Sequence, residues 1–216
     1  MTTEDERKTM DHPMGASTDE ARRIAERSRQ IIEGIVADDG PEGPIKRRVV
    51  MATGNPQFSE LLAFCHNPVE TGVRAIRRGS DVFVDIKMAR AGISRDLQRF
   101  GGHVYCELPE NDAFSDQGLT RASAGLLKAR NRLNGSIAVI GNAPSAALSL
   151  KAMVDEGCEP ALIVATPVGF VNAARSKELI RRLAIPSITT VGTQGGTPVA
   201  VAIVNELISM ALRESC

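Results

Sequence analysis

The feature that most restricts what this chain can fold into is an alternation that begins at Asp81. Short β-branched runs are Val82-Phe83-Val84, Val104-Tyr105-Cys106, Ile137-Ala138-Val139-Ile140, Leu162-Ile163-Val164 and Ile188-Thr189-Thr190-Val191. Between them lie amphipathic stretches around residues 119–132, 144–155, 171–182 and 196–213. Strands joined by helix-length connections pair in parallel, and the helices then cover both faces of the sheet. The expected architecture is α/β, with three α/β/α layers and a mostly parallel sheet. A chain of 216 residues suits one compact domain over residues 17–216, behind a loose arm at residues 1–16.

The first third is less decisive. Ser17 and Thr18, followed by Asp19 and Glu20, suit a helix N-terminus. Ile24, Ser28, Ile31, Ile32 and Ile35 then read as the inner face of that helix. Residues 37–44, rich in Asp, Gly and Pro, read as a loop, and residues 45–53 fit helix or strand equally.

Composition narrows the function classes. Lys plus Arg and Asp plus Glu both number 26, so no net charge points to nucleic acid or to a membrane surface. With no Trp, one Tyr and six Phe, a base-stacking platform is not expected. Cys65, Cys106, Cys158 and Cys216 make no CxxC pair, which argues against a zinc site or a disulfide framework and for a reducing cytoplasm. The charged start has no apolar signal region, and no run approaches the roughly 18 apolar residues of a membrane span.

Chemistry in such a fold is expected outside the carboxyl ends of the strands. Four small or polar segments fall there: Asp85-Ile86-Lys87-Met88, Gly141-Asn142-Ala143-Pro144-Ser145, Thr166-Pro167-Val168-Gly169-Phe170 and Gly192-Thr193-Gln194-Gly195-Gly196-Thr197. Helices that begin in such loops offer backbone N–H groups to carboxylates or phosphates, although the same glycines also serve plain tight turns. A nucleotide site is disfavoured, because neither GxxxxGK[ST] nor a strand-to-helix GxGxxG is present. There is no GxSxG, and His12, His66 and His103 with scattered cysteines form no metal-ligand pattern.

The same loops carry a resemblance. Gly141-Asn142-Ala143-Pro144-Ser145, followed some twenty residues later by Pro167-Val168-Gly169-Phe170-Val171-Asn172-Ala173-Ala174-Arg175-Ser176-Lys177, is similar to the paired signature of precorrin-8X methylmutases. Ile24-Ala25-Glu26-Arg27-Ser28, Asp85 with Met88, Gly92-Ile93, Gly101-Gly102, Thr120-Arg121 and Gly195-Gly196 follow in that family's order, so the match runs from about residue 12 to 211. The resemblance implies a flavodoxin-like fold, a homodimer, and an acid-assisted shift of a methyl group between neighbouring carbons of precorrin-8X or cobalt-precorrin-8. The product would be hydrogenobyrinate or its cobalt form. No cofactor and no protein-bound metal are implied.

By the same resemblance, Ser28, Arg48, Asp85, Thr120, Arg121, Asn142, Gly169, Gly195 and Gly196 are expected to bind substrate. Arg121 is the best carboxylate clamp, since a guanidinium grips a carboxylate through two hydrogen bonds. The departures are as informative. Met51 stands where the family carries its proton-donating histidine, and a thioether has no proton to give. Asn172 replaces a glycine, Arg175 an acid, Thr193 an arginine, and Lys87 a small or acidic residue. A desolvated Lys87 would be a candidate acid, whereas His103, at a strand start, is not expected to act. Three functions remain open on these residues: a methylmutase with rebuilt acid catalysis, a non-catalytic relative that holds a corrin intermediate, or an enzyme acting on another anionic tetrapyrrole.

Overall fold

The computed structural model describes residues 18–110 and 118–213; the arm expected at residues 1–16 lies outside them. The helices are α1 (Asp19–Ile35), α2 (Gly43–Thr53), α3 (Phe58–Leu61), α4 (Pro68–Arg77), α5 (Lys87–Gly92), α6 (Arg121–Lys128), α7 (Pro144–Asp155), α8 (Ala173–Arg181) and α9 (Thr197–Arg213). The strands are β1 (Leu62–Cys65), β2 (Val82–Val84), β3 (Val104–Tyr105), β4 (Ile137–Ile140), β5 (Leu162–Ala165) and β6 (Ser187–Thr190). They form one sheet in the order β1-β6-β5-β4-β2-β3.

Strands β2 to β6 are parallel, and β1 closes one edge antiparallel to β6, with Leu62 opposite Thr190. The parallel strands follow the flavodoxin-like order, in which the chain moves outward to β3 and then crosses back past β2 to β4. The switch point therefore lies between β2 and β4.

Period-two burial explains the layers. Val82 and Val84, Ile137 and Val139, and Leu162 and Val164 turn to one face, where α2, α4, α5 and α9 supply Ile45, Val73, Ala89 and Ile203. Phe83, Ala138, Ile140, Ile163 and Ala165 turn to the other, against Leu126 of α6, Leu150 of α7 and Ile180 of α8. A strand covered on both faces reads as a continuous apolar run, which is why β2, β4 and β5 are plain in the sequence.

Packing decides three matters that the sequence left open or misread. Residues 45–53 are helical: Pro44 sits in the first turn of α2, Gly54 ends it in the left-handed region (φ 64°), and Ile45 and Val49 face the core. Strand β1 escaped the sequence because Leu62-Ala63-Phe64-Cys65 is a half-buried edge segment with no strict alternation. The third is a correction to α1. Its apolar stripe is no inner face, because Ile24 (61 % exposed), Ile31 (55 %) and Ile35 point to solvent and Ile32 alone of that set is buried.

Candidate active site

Because β2, β4, β5 and β6 run in parallel, Asp85, Gly141, Thr166 and the segment beginning at Gly192 all follow carboxyl ends and share one rim. Two buried charges of opposite sign lace that rim together. Asp85, 2 % exposed at the switch point, accepts hydrogen bonds from the backbone N–H groups of Gly141 (3.0 Å), Asn142 (2.9 Å) and Ala143 (2.7 Å). Burial pushes its carboxyl above the ordinary value, and the three N–H groups pull it part of the way back. Its oxygens are occupied by protein, so Asp85 shapes the crevice by pinning the β4–α7 loop to β2.

Lys177 of α8 does the corresponding work at β6. Its fully buried side chain donates to Thr190 Oγ1 (2.9 Å) and to the Gln194 carbonyl (2.6 Å), and Thr190 Oγ1 also donates to that carbonyl (2.7 Å). The β5–α8 loop is zipped to the same segment: Gly169 N–H donates to Thr193 O (3.0 Å), Gly196 N–H to Thr166 O (2.6 Å), and Thr166 Oγ1 to Gly196 O (3.2 Å). Gly195 (φ 155°) and Gly196 (φ 118°) occupy backbone that favours glycine, and a Cβ on Gly195 would drive into the Thr166 carbonyl. Asn172 (φ 62°) is left-handed at the N-cap of α8, which accounts for asparagine where the resembling family has glycine.

At the other side of the switch point Thr120 caps α6. Its Oγ1 accepts from Ser123 N–H (3.2 Å) and shares a hydrogen bond with Ser145 Oγ at the start of α7 (2.7 Å), so the two helix N-termini are tied together. Arg121 is exposed, with Nε bound to the Pro109 carbonyl (2.9 Å). Asn142 is exposed and does not cap α7, whose N-cap is Ala143. Lys87 opens the short helix α5 on the same rim, but it is exposed. It lacks the burial that its reading as an acid required; the desolvated lysine is Lys177.

The remaining expected residues lie elsewhere. Arg48 is directed at α9, where it pairs with the nearly buried Glu206 (3.5 Å), itself held by Arg213 (2.8 Å). That ion pair joins α2 to α9 and engages the guanidinium expected to meet substrate. Met51 packs, half-buried, against the cluster of Ile32, Val36 and Val50 in the seam between α1 and α2, and Ser28 lies, half-buried, on the outward stripe of α1. His103 precedes β3 at the amino end of the sheet, away from the rim, with its backbone N–H on Asp81 (3.0 Å).

Sequence reasoning passed over Lys177, although Ala173, Ser176, Lys177 and Ile180 follow helical spacing and are all buried in α8. It also passed over an apolar fringe. Among the described residues, and apart from the α1 stripe, the exposed large apolar residues are Met88, Val168, Phe170 (95 % exposed), Val171 and Val191, and all of them lie in or beside the rim loops. Exposed cations stand on the same rim at Lys87, the first residue of α5, Arg121, the first of α6, and Arg175, in the first turn of α8. Such a surface suits a flat apolar molecule with a carboxylate fringe. Among the described residues no cluster of three or more His, Cys, Asp or Glu is placed to hold a metal ion, and no helix is long and apolar enough to cross a membrane.

Comparison with known proteins agrees with this geometry. The precorrin-8X methylmutase family model matches residues 23–210. The cobalt-precorrin-8 methylmutase of Methanocaldococcus jannaschii is 38 % identical over 214 residues, covering 93 % of this chain and 99 % of that protein. The precorrin-8X methylmutase of Pseudomonas aeruginosa is 36 % identical over 166 residues, or 74 % and 80 % of the two chains. The crystal structure of precorrin-8X methylmutase from Thermus thermophilus superposes with a TM-score of 0.82 at 32 % identity, over 89 % of this chain and 97 % of that one. A family match over most of the chain, relatives of matching length and the same architecture leave one assignment: this chain belongs to the precorrin-8X methylmutase family, isomerases of cobalamin biosynthesis.

Proposed function

We propose that this protein binds precorrin-8X or cobalt-precorrin-8 at the carboxyl-end rim and catalyses the methyl shift that forms the corrin ring. The observation that carries the reading is that exposed Met88, Val168, Phe170 and Val171 share the rim with the exposed cations Lys87, Arg121 and Arg175. An apolar macrocycle seated there would keep its acetates and propionates within reach of the cations and of the tied N-termini of α6 and α7. The reaction is an isomerisation. The methyl group leaves one ring carbon and bonds to its neighbour, and any proton lent to the ring is returned, so atoms and electrons balance within the substrate.

Met51 cannot lend that proton. Its position, packed on Ile32, Val36 and Val50, is apolar, and a histidine there would need a hydrogen-bond partner. The assembly we propose is a homodimer, supported by the stripe of Ile24, Ser28, Ile31 and Ile35, whose spacing of four, three and four residues is that of a helix–helix seam. Residence in the cytoplasm fits the described cysteines, Cys65, Cys106 and Cys158, which are unpaired.

The test is single-turnover conversion of precorrin-8X by wild type and Met51→His, followed by the absorbance change of ring rearrangement. We expect conversion by wild type, and a rate raised about 10²–10⁴-fold in the variant, the usual worth of a positioned acid, only if the α1–α2 seam that holds Met51 borders the bound substrate; an unchanged rate places the acid elsewhere. Binding without conversion by either protein would instead favour a protein that holds a corrin without transforming it.

A further inference from the structure

Three charged side chains are buried among the described residues: Asp85, Glu206 and Lys177. Glu206 is met by Arg48 and Arg213, and Asp85 by three backbone N–H groups. Lys177 is different. Its ammonium meets two neutral oxygens, Thr190 Oγ1 and Gln194 O, and no carboxylate lies within ion-pair distance among the described residues. It sits in the second turn of α8, near the positive end of the helix dipole, where a cation is disfavoured. One turn on, the Arg181 guanidinium donates to Thr189 Oγ1 (3.0 Å) and Thr190 O (3.3 Å) and repels it. Glu178 is turned to Arg181 and Arg182, and on α7, which packs against α8, Lys151 and Asp155 pair with each other.

A buried charge without a counter-ion is destabilising, and an apolar replacement of similar shape is often neutral or stabilising. Desolvation of that charge offsets its two hydrogen bonds, so a methionine of similar length is expected to cost the fold as a whole little. What the ammonium does hold is the turn from Thr190 to Gln194, and through it the Gly195-Gly196 segment onto which Thr166 and Gly169 are zipped.

We infer that Lys177 is the positioning residue of the rim: its buried ammonium fixes the Gly192–Gly196 loop, and with it the Thr166–Gly169 loop, in the geometry that receives the tetrapyrrole. The inference rests on the rim reading above for its ligand, while the loop-fixing itself is measurable without one.

Local and global stability then respond to pH in opposite senses. Burial, with Arg181 second, lowers Lys177 from 10.5 to about 8. A lowered lysine binds fewer protons folded than unfolded, so the fold as a whole gains stability as pH rises from about 8 towards 10.5. Over that rise the ammonium becomes a neutral amine, which keeps two N–H donors but loses the charge that strengthens both of the loop's bonds. A residue with a merely structural role would move both in the same direction.

The experiment compares wild type with Lys177→Met from about pH 7 to 9.5, a window around the lysine's titration, by hydrogen exchange of the residue 192–196 amides without ligand and by titration with hydrogenobyrinic acid. Thr190 Oγ1 continues to satisfy the Gln194 carbonyl in the variant, so no buried acceptor is orphaned. At neutral pH the variant's loop amides should exchange at least about tenfold faster than wild type, with an equal or higher thermal midpoint. Wild-type rates, corrected for intrinsic base catalysis, should approach the variant's as pH rises past about 8. Affinity for the corrinoid should fall about tenfold. Unchanged loop exchange, or unchanged affinity in a wild type that binds, overturns the inference. If wild type binds no corrinoid while the exchange difference stands, the ligand reading falls and the positioning role is supported. Lys177→Gln, which keeps a donor without the charge, is read by the same criteria where the methionine variant does not fold.

Discussion

The rim buries two charges beneath exposed apolar side chains and exposed cations, while the α1–α2 hairpin carries its charges at the surface beside an exposed apolar stripe. At the rim, Asp85 and Lys177 are buried, each holding a loop by hydrogen bonds to backbone or hydroxyl groups, and Phe170 and Val171 stand in solvent. On the hairpin, Arg22 pairs with Asp19 and Arg29 with Glu26 at the surface, and Ile24, Ile31 and Ile35 face outward. Preorganisation explains the first arrangement. Loops that must present fixed N–H groups and carbonyls are held from beneath, because a loop that orders only on binding loses part of its affinity to conformational entropy. The second arrangement suits the homodimer proposed above, in which a second copy would cover the stripe. Inverted burial is thus read as a site in one region and as an interface in the other.

The largest effect expected is at the switch point. Asp85→Ala orphans the N–H groups of Gly141, Asn142 and Ala143, and should destabilise the fold by about 3–5 kcal/mol, measured as a shift in denaturant midpoint. Asp85→Asn, which keeps one acceptor oxygen, should lose less. If both variants unfold at the wild-type midpoint, the β4–α7 loop is held by its own geometry and the contrast with the hairpin collapses.

An intermediate effect is expected on the seam. Ile31→Asp places a charge where two symmetric copies would bury an isoleucine, a loss of about 3 kcal/mol over the pair and so roughly a hundredfold in dimer dissociation constant. Sedimentation of wild type and variant decides it. A monomeric wild type at micromolar concentration would remove the interface from the comparison.

The smallest effect is at the fringe. Arg121→Ala should weaken corrinoid binding by about 1.5–3 kcal/mol, the worth of a hydrogen bond to a charged group, and leave stability nearly untouched because the residue is exposed. Loss of its bond to the Pro109 carbonyl should show only as local loosening of that segment. An unchanged affinity would take Arg121 out of the binding surface.

What the sequence by itself determined follows from local pattern. Ile137–Ile140 and Leu162–Ala165 read as apolar runs between helices because both faces of the sheet are covered, and from that alternation a parallel sheet with its loops on one rim follows by geometry. The glycine and polar segments of the site were legible for the same reason, as residues placed where such strands end. Tertiary structure decided the rest. The edge pairing of Leu62–Cys65 with Ser187–Thr190 joins segments far apart in the chain, and a short half-buried strand shows no period of its own. That Arg48 pairs with Glu206, and that Asp85 accepts from three backbone N–H groups, depends on which groups packing brings within hydrogen-bond reach. The stripe of α1 makes the same point from the other side: periodicity specifies that Ile24, Ile31 and Ile35 share a face, and only the packed fold shows that no other element of this chain covers them among the described residues.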